Sequence, residues 1–200
     1  MYDESFWNER YANPDYVFGT EPNEFLAEHC NLLSGPVLSL SEGEGRNAVF
    51  LATRGLEVVG VDISNLALEK AQKLAASRGV EIKTIVADLA TFEPEENYYG
   101  SVISIFAHLP SAIRNQLYPR LERSLKKDGV ILLESYSENQ LSRDTGGPKD
   151  TDMLMTMEKL CREFPTLEPM LLREVERDVV EGASHSGLGS VVQFIARKKA

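Results

Sequence analysis

Short apolar runs alternate with segments of helical period along most of this chain, which predicts a parallel sheet with helices on both faces. Pro36 to Leu40 reads as the first strand and Glu57 to Val61 as the second. Between them a helix is expected from about Arg46 to Arg54, with Ala48, Val49, Leu51 and Ala52 inward and Gly55 as its stop. Ser64 suits the cap of the next helix, whose apolar face is Ala67, Leu68, Ala71, Leu74 and Ala75 and whose end lies near Gly79. Glu81 to Val86 and Ser101 to Phe106 are the third and fourth strands. Ser111 to Leu125 has a helical pattern, but Pro119 predicts a kink or break, because its ring removes one N–H and crowds the preceding turn. Asp128-Gly129 is expected to turn the chain into a fifth strand, Val130 to Glu134.

The end of the chain differs in kind. After a short helix around Met157 to Phe164, two strand-like runs remain, Pro169 to Val180 and Ser190 to Ala196. The Gly/Ser-rich stretch from Glu181 to Gly189 joins them with no room for a crossover helix, so they should pair antiparallel. Tyr136 to Asp152, with Thr145-Gly146-Gly147-Pro148 inside it, reads as a soft loop. It follows a parallel strand, so it should overhang the edge where ligands bind.

Composition narrows the field. Two hundred residues, 42% hydrophobic and 26% charged, suit one globular α/β domain. A formal charge of −10 disfavours nucleic acid and anionic membrane surfaces as partners. Cys30 and Cys161 have no metal-ligand spacing and read as free thiols, and no metal site is expected. With no leader-like start and no apolar run of spanning length, a soluble cytoplasmic protein is expected.

The chemistry concentrates where strands meet the following turns. Ser41-Glu42-Gly43-Glu44-Gly45-Arg46-Asn47 follows the first strand, and Asp62-Ile63 ends the second. That order describes a βαβ unit for an adenosine-containing cofactor, with Asp62 accepting the ribose hydroxyls. Gly43 and Gly45 permit close backbone approach. Glu42 and Glu44 would repel a pyrophosphate but suit a ligand carrying an ammonium and a sulfonium, as S-adenosylmethionine (SAM) does. Ser41, in the tight turn, is expected to keep a negative φ, and Glu42 to face the ammonium. Gly43 to Ala48 also matches G-x-G-x-x-A, so a nicotinamide oxidoreductase is the rival reading, with a non-catalytic SAM-binding protein a third. Phe106-Ala107-His108 closes the fourth strand at the switch point, which makes His108 a candidate catalytic group with an ordinary pKa near 6.5.

These motifs, with Phe6-Trp7-Asn8-Glu9-Arg10-Tyr11 before them and Glu44-Gly45-Arg46-Asn47 within them, resemble class I SAM-dependent methyltransferases of the small tellurite-resistance and thiopurine type. The chain departs from that pattern at Ser39, where the family usually has an acid, and at Ser41, where it has glycine. The resemblance implies one Rossmann-like domain over residues 1–200, with N-terminal helices and a lid in 1–34 and the core in 35–200. It also implies a seven-stranded, mostly parallel sheet whose last strand is antiparallel. Ala87, Asp88 and Leu89 are then expected around adenine, and Phe106 and Ala107 against the cofactor. Tyr11 to Thr20 would form a lid near the sulfonium, Phe6 and Trp7 would pack in the first helix, and His185 would reach the substrate from a loop. The implied reaction is methyl transfer to a small molecule, such as a thiol, a chalcogen oxyanion or another soft nucleophile, by a monomer or weak homodimer.

Overall fold

The computed structural model describes residues 3–182 and 185–199. Seven strands form one sheet in the order β3-β2-β1-β4-β5-β7-β6. They are β1 (Val37–Leu40), β2 (Val58–Asp62), β3 (Lys83–Val86), β4 (Tyr99–Ile105), β5 (Leu125–Tyr136), β6 (Leu167–Glu181) and β7 (His185–Lys198). The first five run parallel, and β7 lies antiparallel between β5 and β6. Six helices flank them: α1 (Glu4–Tyr11), α2 (Glu24–His29), α3 (Arg46–Thr53), α4 (Asn65–Ser77), α5 (Ser111–Ser124) and α6 (Met157–Glu163).

The sheet is buried because its central strands are apolar on both faces. Along β4, Val102 enters one core with Leu117, Leu121 and Phe164. Its neighbour Ile103 enters the other with Leu26, Ala48, Leu51 and Ala71. This two-sided burial is the state that continuous apolar runs favour in parallel sheets. The order in which successive strands are added reverses between β1 and β4, which opens a crevice at their carboxyl ends.

Several local expectations are corrected. Pro119 does not break α5, which spans Ser111–Ser124; Leu117, Tyr118 and Leu121 around it are buried, and that packing outweighs one lost backbone bond. Asp128-Gly129 lies inside β5 rather than before it, with Asp128 at φ 63°, where the register against β4 shifts between Tyr99 and Ser101. The last two strands are longer than their hydrophobic pattern, leaving only 182–184 between them, so Glu181 and His185 belong to the hairpin ladder. Cross-strand pairing carries these strands past their apolar stretch. The loop after β5 is not soft either. It folds into 3-10 turns at Glu138–Ser142 and Thr151–Met153. Gln140 ties it down, donating to Thr145 Oγ1 and the Gly146 carbonyl, each at 3.0 Å, and accepting from Ser190 N at 2.8 Å.

Candidate active site

The glycine-rich turn between β1 and α3 is built around left-handed backbone. Gly43 has φ 62° and Gly45 φ 96°. A Cβ on Gly45 would lie 2.7 Å from Ala71, so α3 can pack on α4 only with glycine there. Ser41 also enters this region, at φ 47°, contrary to the expected negative φ. The turn imposes that geometry whether or not a Cβ is present, and the strain sits at the crevice.

Glu42 is also corrected. Its carboxylate turns inward, accepting the Ala48 N–H at 2.9 Å and bonding to the Ser39 hydroxyl, where the family's acid is missing. Burial raises its pKa to about 7, against the pull of the Ser39 and Ala48 hydrogen bonds. It borders the crevice, but its oxygens are engaged with the turn and α3. Glu44 is likewise engaged, pairing with Lys70 and accepting the Phe18 N–H at 3.4 Å.

Asp62 ends β2 and is buried. Its two oxygens accept the Gly43 N–H at 2.8 Å and the Ser64 N–H at 2.9 Å, so one carboxylate joins the glycine turn to the start of α4. Burial raises its pKa above the usual carboxylate range and those N–H bonds draw it part of the way back. Ile63, Ala87, exposed Asp88 and buried Leu89 line the same cavity from the ends of β2 and β3.

Across the switch point, Phe106 follows β4 at φ 51°, and Ala107 and His108 continue the wall. His108 stacks on Tyr136 with ring centroids 5.5 Å apart and planes 7° from parallel. Its Nδ1 lies 3.3 Å from Ser135 Oγ and 3.4 Å from the Met153 carbonyl. Buried Arg114 braces this wall: it bonds to the Leu109 carbonyl, to the Asp152 carbonyl at 2.6 Å and to Glu163 at 2.8 and 3.1 Å. Gly146, Gly147, Pro148 and Met153 close the cavity from the loop after β5, as that loop's position predicts.

The N-terminal segment makes the remaining wall. Phe6 and Trp7 line the cavity instead of serving only as helix packing, together with Arg10, Tyr11 and Phe18. Tyr11 Oη reaches the glycine turn, where a Cβ on Gly43 would meet it at 3.0 Å. Lys70 holds the segment down by donating to the carbonyls of Asn13 at 2.8 Å and Asp15 at 2.7 Å. Asn47 lines the cavity and accepts the Asn23 N–H at 3.0 Å. His185 begins β7; its side chain lies outside the described residues. No residue of the hairpin turn is found in the cavity wall among the described residues. The turn instead abuts the N-terminal segment, with Gly182 so close that a Cβ would lie 2.3 Å from the Val17 carbonyl.

The cavity so enclosed is about 490 Å³, within the range of small-molecule and cofactor sites. Comparison with known proteins decides which cofactor belongs to it. Residues 37–129 match the family model described as "Methyltransferase domain". The 2-heptyl-1-hydroxyquinolin-4(1H)-one methyltransferase of Mycobacteroides abscessus is 28% identical over 141 residues, 68% of this chain and 62% of that one. The tRNA (uracil(54)-C(5))-methyltransferase of Pyrococcus horikoshii is 30% identical over 159 residues, 70% of this chain and 37% of that one. Among solved structures, the chain superposes with a TM-score of 0.79 on one described as "Conversion of a Disulfide Bond into a Thioacetal Group during Echinomycin Biosynthesis". That likeness, at 20% identity over 98% of this chain and 92% of the other, concerns the fold. The chain thus matches a methyltransferase domain over just under half its length, and these curated relatives are methyltransferases. It spans less than two thirds of the length of these two curated relatives.

The geometry of the cavity is compatible with SAM. Asp62 accepts the N–H groups of Gly43 and Ser64, and a carboxylate has lone pairs for more than two bonds, which ribose hydroxyls can use. The aromatic side chains of Phe6, Trp7, Tyr11 and Phe18 line the same cavity, as a sulfonium favours. Sequence reasoning missed Arg10 and Arg46 as wall residues. One signal was legible: Arg46 opens α3, where the helix dipole disfavours a cation unless something else holds it there.

Proposed function

We propose that this protein transfers the methyl group of SAM to a small-molecule acceptor bound between β4, the loop after β5 and the N-terminal segment. The observation carrying this reading is that one cavity joins Asp62 and Asp88 on one side of the switch point to His108 on the other. In this assignment Asp62 receives the ribose hydroxyls and Asp88 the adenine amine. Ile63, Ala87 and Leu89 flank the ring, and Ser41, Gly43, Gly45 and Asn47 border the methionine end. Phe106 and Ala107 lie beneath the transferring group. Bound SAM supplies a methyl group already activated by positive sulfur. The protein's work is then to align the acceptor with the carbon–sulfur bond and exclude water.

His108 is assigned to the acceptor. Its ring lines the cavity, positioned by Ser135 Oγ at 3.3 Å and the Met153 carbonyl at 3.4 Å from Nδ1, and an imidazole there can take the proton of a thiol as its sulfur attacks. A thiol, chalcogen oxyanion or other soft nucleophile suits a site with few further groups for deprotonation. The net charge of −10 and the aromatic enclosure support a small molecule over a nucleic acid. The quinolone named for one relative is also a small molecule. The tRNA methyltransferase matches over only 37% of its length, so most of that protein has no counterpart here. No helix among the described residues is long and apolar enough to cross a membrane. The test is formation of S-adenosylhomocysteine (SAH) from SAM and a small alkyl thiol at pH 7. His108→Ala should slow it about a hundredfold. Unchanged turnover in that variant would remove His108 from the reaction.

A further inference from the structure

Asn23 is fully buried where four elements meet, and each of its polar groups is engaged. It caps α2, its Oδ1 accepting the Leu26 N–H at 2.9 Å, and its backbone carbonyl accepts the Ala27 N–H at 2.9 Å. Its backbone N–H donates to Asn47 Oδ1 at 3.0 Å. The two protons of its Nδ2 go to two different carboxylates, Glu134 Oε2 on β5 at 2.6 Å and Glu181 Oε1 on β6 at 2.8 Å. Capping a helix asks only for the oxygen, which serine or aspartate would supply as well. The amide donor is what asparagine adds. Asn23 stands behind the cavity wall rather than in it, yet two of its partners lead to that wall.

Arg46 and Asn47 are consecutive wall residues at the start of α3. With Oδ1 held by Asn23, the NH2 is the end of the Asn47 amide left for a ligand. Arg46 is reached through Glu181: Asn23 holds Oε1 of that carboxylate while Arg46 Nη2 donates to Oε2 at 2.6 Å. Arg177 lies 3.8 Å from the same Glu181 and bonds to Glu134 at 2.7 and 3.0 Å. Two buried carboxylates therefore meet at one amide, with two guanidiniums to balance them. Removing one member of such a network disturbs the others. We propose that Asn23 is a positioning residue for the cofactor, fixing the Asn47 amide directly and the Arg46 guanidinium through Glu181. The inference rests on the methyl-transfer reading for the word cofactor, but it is tested without turnover.

The test is SAH affinity by isothermal titration at pH 8 and pH 6 for wild type, Asn23→Asp and Asn23→Ser, with circular dichroism to show that each is folded. Both variants keep an oxygen for the cap of α2 and delete the Nδ2 donor. Asn23→Asp also sets a third carboxylate against Glu134 and Glu181, where Arg46 and Arg177 are the cations and Glu24 already pairs with Arg177. At pH 8 it should bind SAH about tenfold more weakly than wild type. The deficit should shrink at pH 6, where the crowded carboxyl takes up a proton and can donate in place of the amide. Asn23→Ser should bind several-fold more weakly at both pH values. Comparison with wild type at each pH cancels the titration of Glu42. Wild-type SAH affinity in folded Asn23→Ser overturns the proposal, since any loss in Asn23→Asp would then come from the added charge. A deficit in Asn23→Asp that is the same at both pH values overturns it too. A residue that only stabilised the fold would lower the unfolding temperature of the variants and leave SAH affinity unchanged. If Asn23→Asp fails to fold, Asn23→Ser decides. Wild-type protein that binds no SAH refutes the cofactor reading instead, so the two failures are told apart.

Discussion

Glu42 carries a consequence for stability that its position at the site conceals. Its carboxyl has a folded pKa of about 7 against an ordinary 4.5, because burial opposes its charge more than Ser39 and Ala48 support it. The folded state therefore holds a proton that the unfolded state releases between these values. Stability from this group falls as pH rises through that window and is flat below and above it. The full effect is on the order of 3 kcal/mol. Glu42→Gln removes the titration while retaining an acceptor for the Ala48 N–H. Urea unfolding at pH 5 and at pH 8 should show the variant gaining on the wild type at the higher pH. A constant difference between the two proteins would contradict the assignment. That Asp62 and Asp88 line the cavity was legible because each lies at the end of a parallel strand beside the crevice. The orientation of Glu42 was not, since it depends on the hydroxyl of Ser39 filling a gap three residues away.

At the scale of elements, the turn between β1 and α3 is held by shape as well as by conformation. Gly45 and Gly55 both have positive φ, at 96° and 82°, but an added Cβ meets Ala71 at 2.7 Å in the first case and nothing within 4 Å in the second. Gly55→Ala should cost about 1–2 kcal/mol, the strain of the left-handed backbone alone. Gly45→Ala should cost at least about 2 kcal/mol more, because α3 must also move off α4. Equal losses in denaturant unfolding would mean that the contact with α4 yields freely. The strand and helix order could be read from the chain because apolar runs and capping residues are local signals. What could not be read depended on partners: β6 and β7 extend by pairing with each other, and the loop after β5 is fixed by Gln140 reaching β7. Tyr136 to Asp152 therefore looked soft in sequence while being tethered in the fold. Pro119 was a true local signal overruled by the burial of its neighbours.

For the molecule as a whole, the sheet order brings two half-sites to one crevice, with the glycine turn, Asp62 and Asp88 on one side and Phe106, Ala107 and His108 on the other. The N-terminal segment forms a further wall of that crevice beside the glycine turn, secured by Lys70 and Glu44. Its place in the wall was expected from the family resemblance, whereas the extension of the wall back to Phe6, Trp7 and Arg10 needed the packing of α1 to be visible. The central claim is that this crevice binds SAM through Asp62, and isothermal titration of wild type and Asp62→Asn with SAM, SAH and NAD tests it most directly. The account predicts binding of SAM and SAH, no binding of NAD, and a loss of about tenfold or more in SAH affinity for Asp62→Asn. NAD binding as tightly as SAH, or unchanged SAH affinity in a folded Asp62→Asn variant, would contradict it.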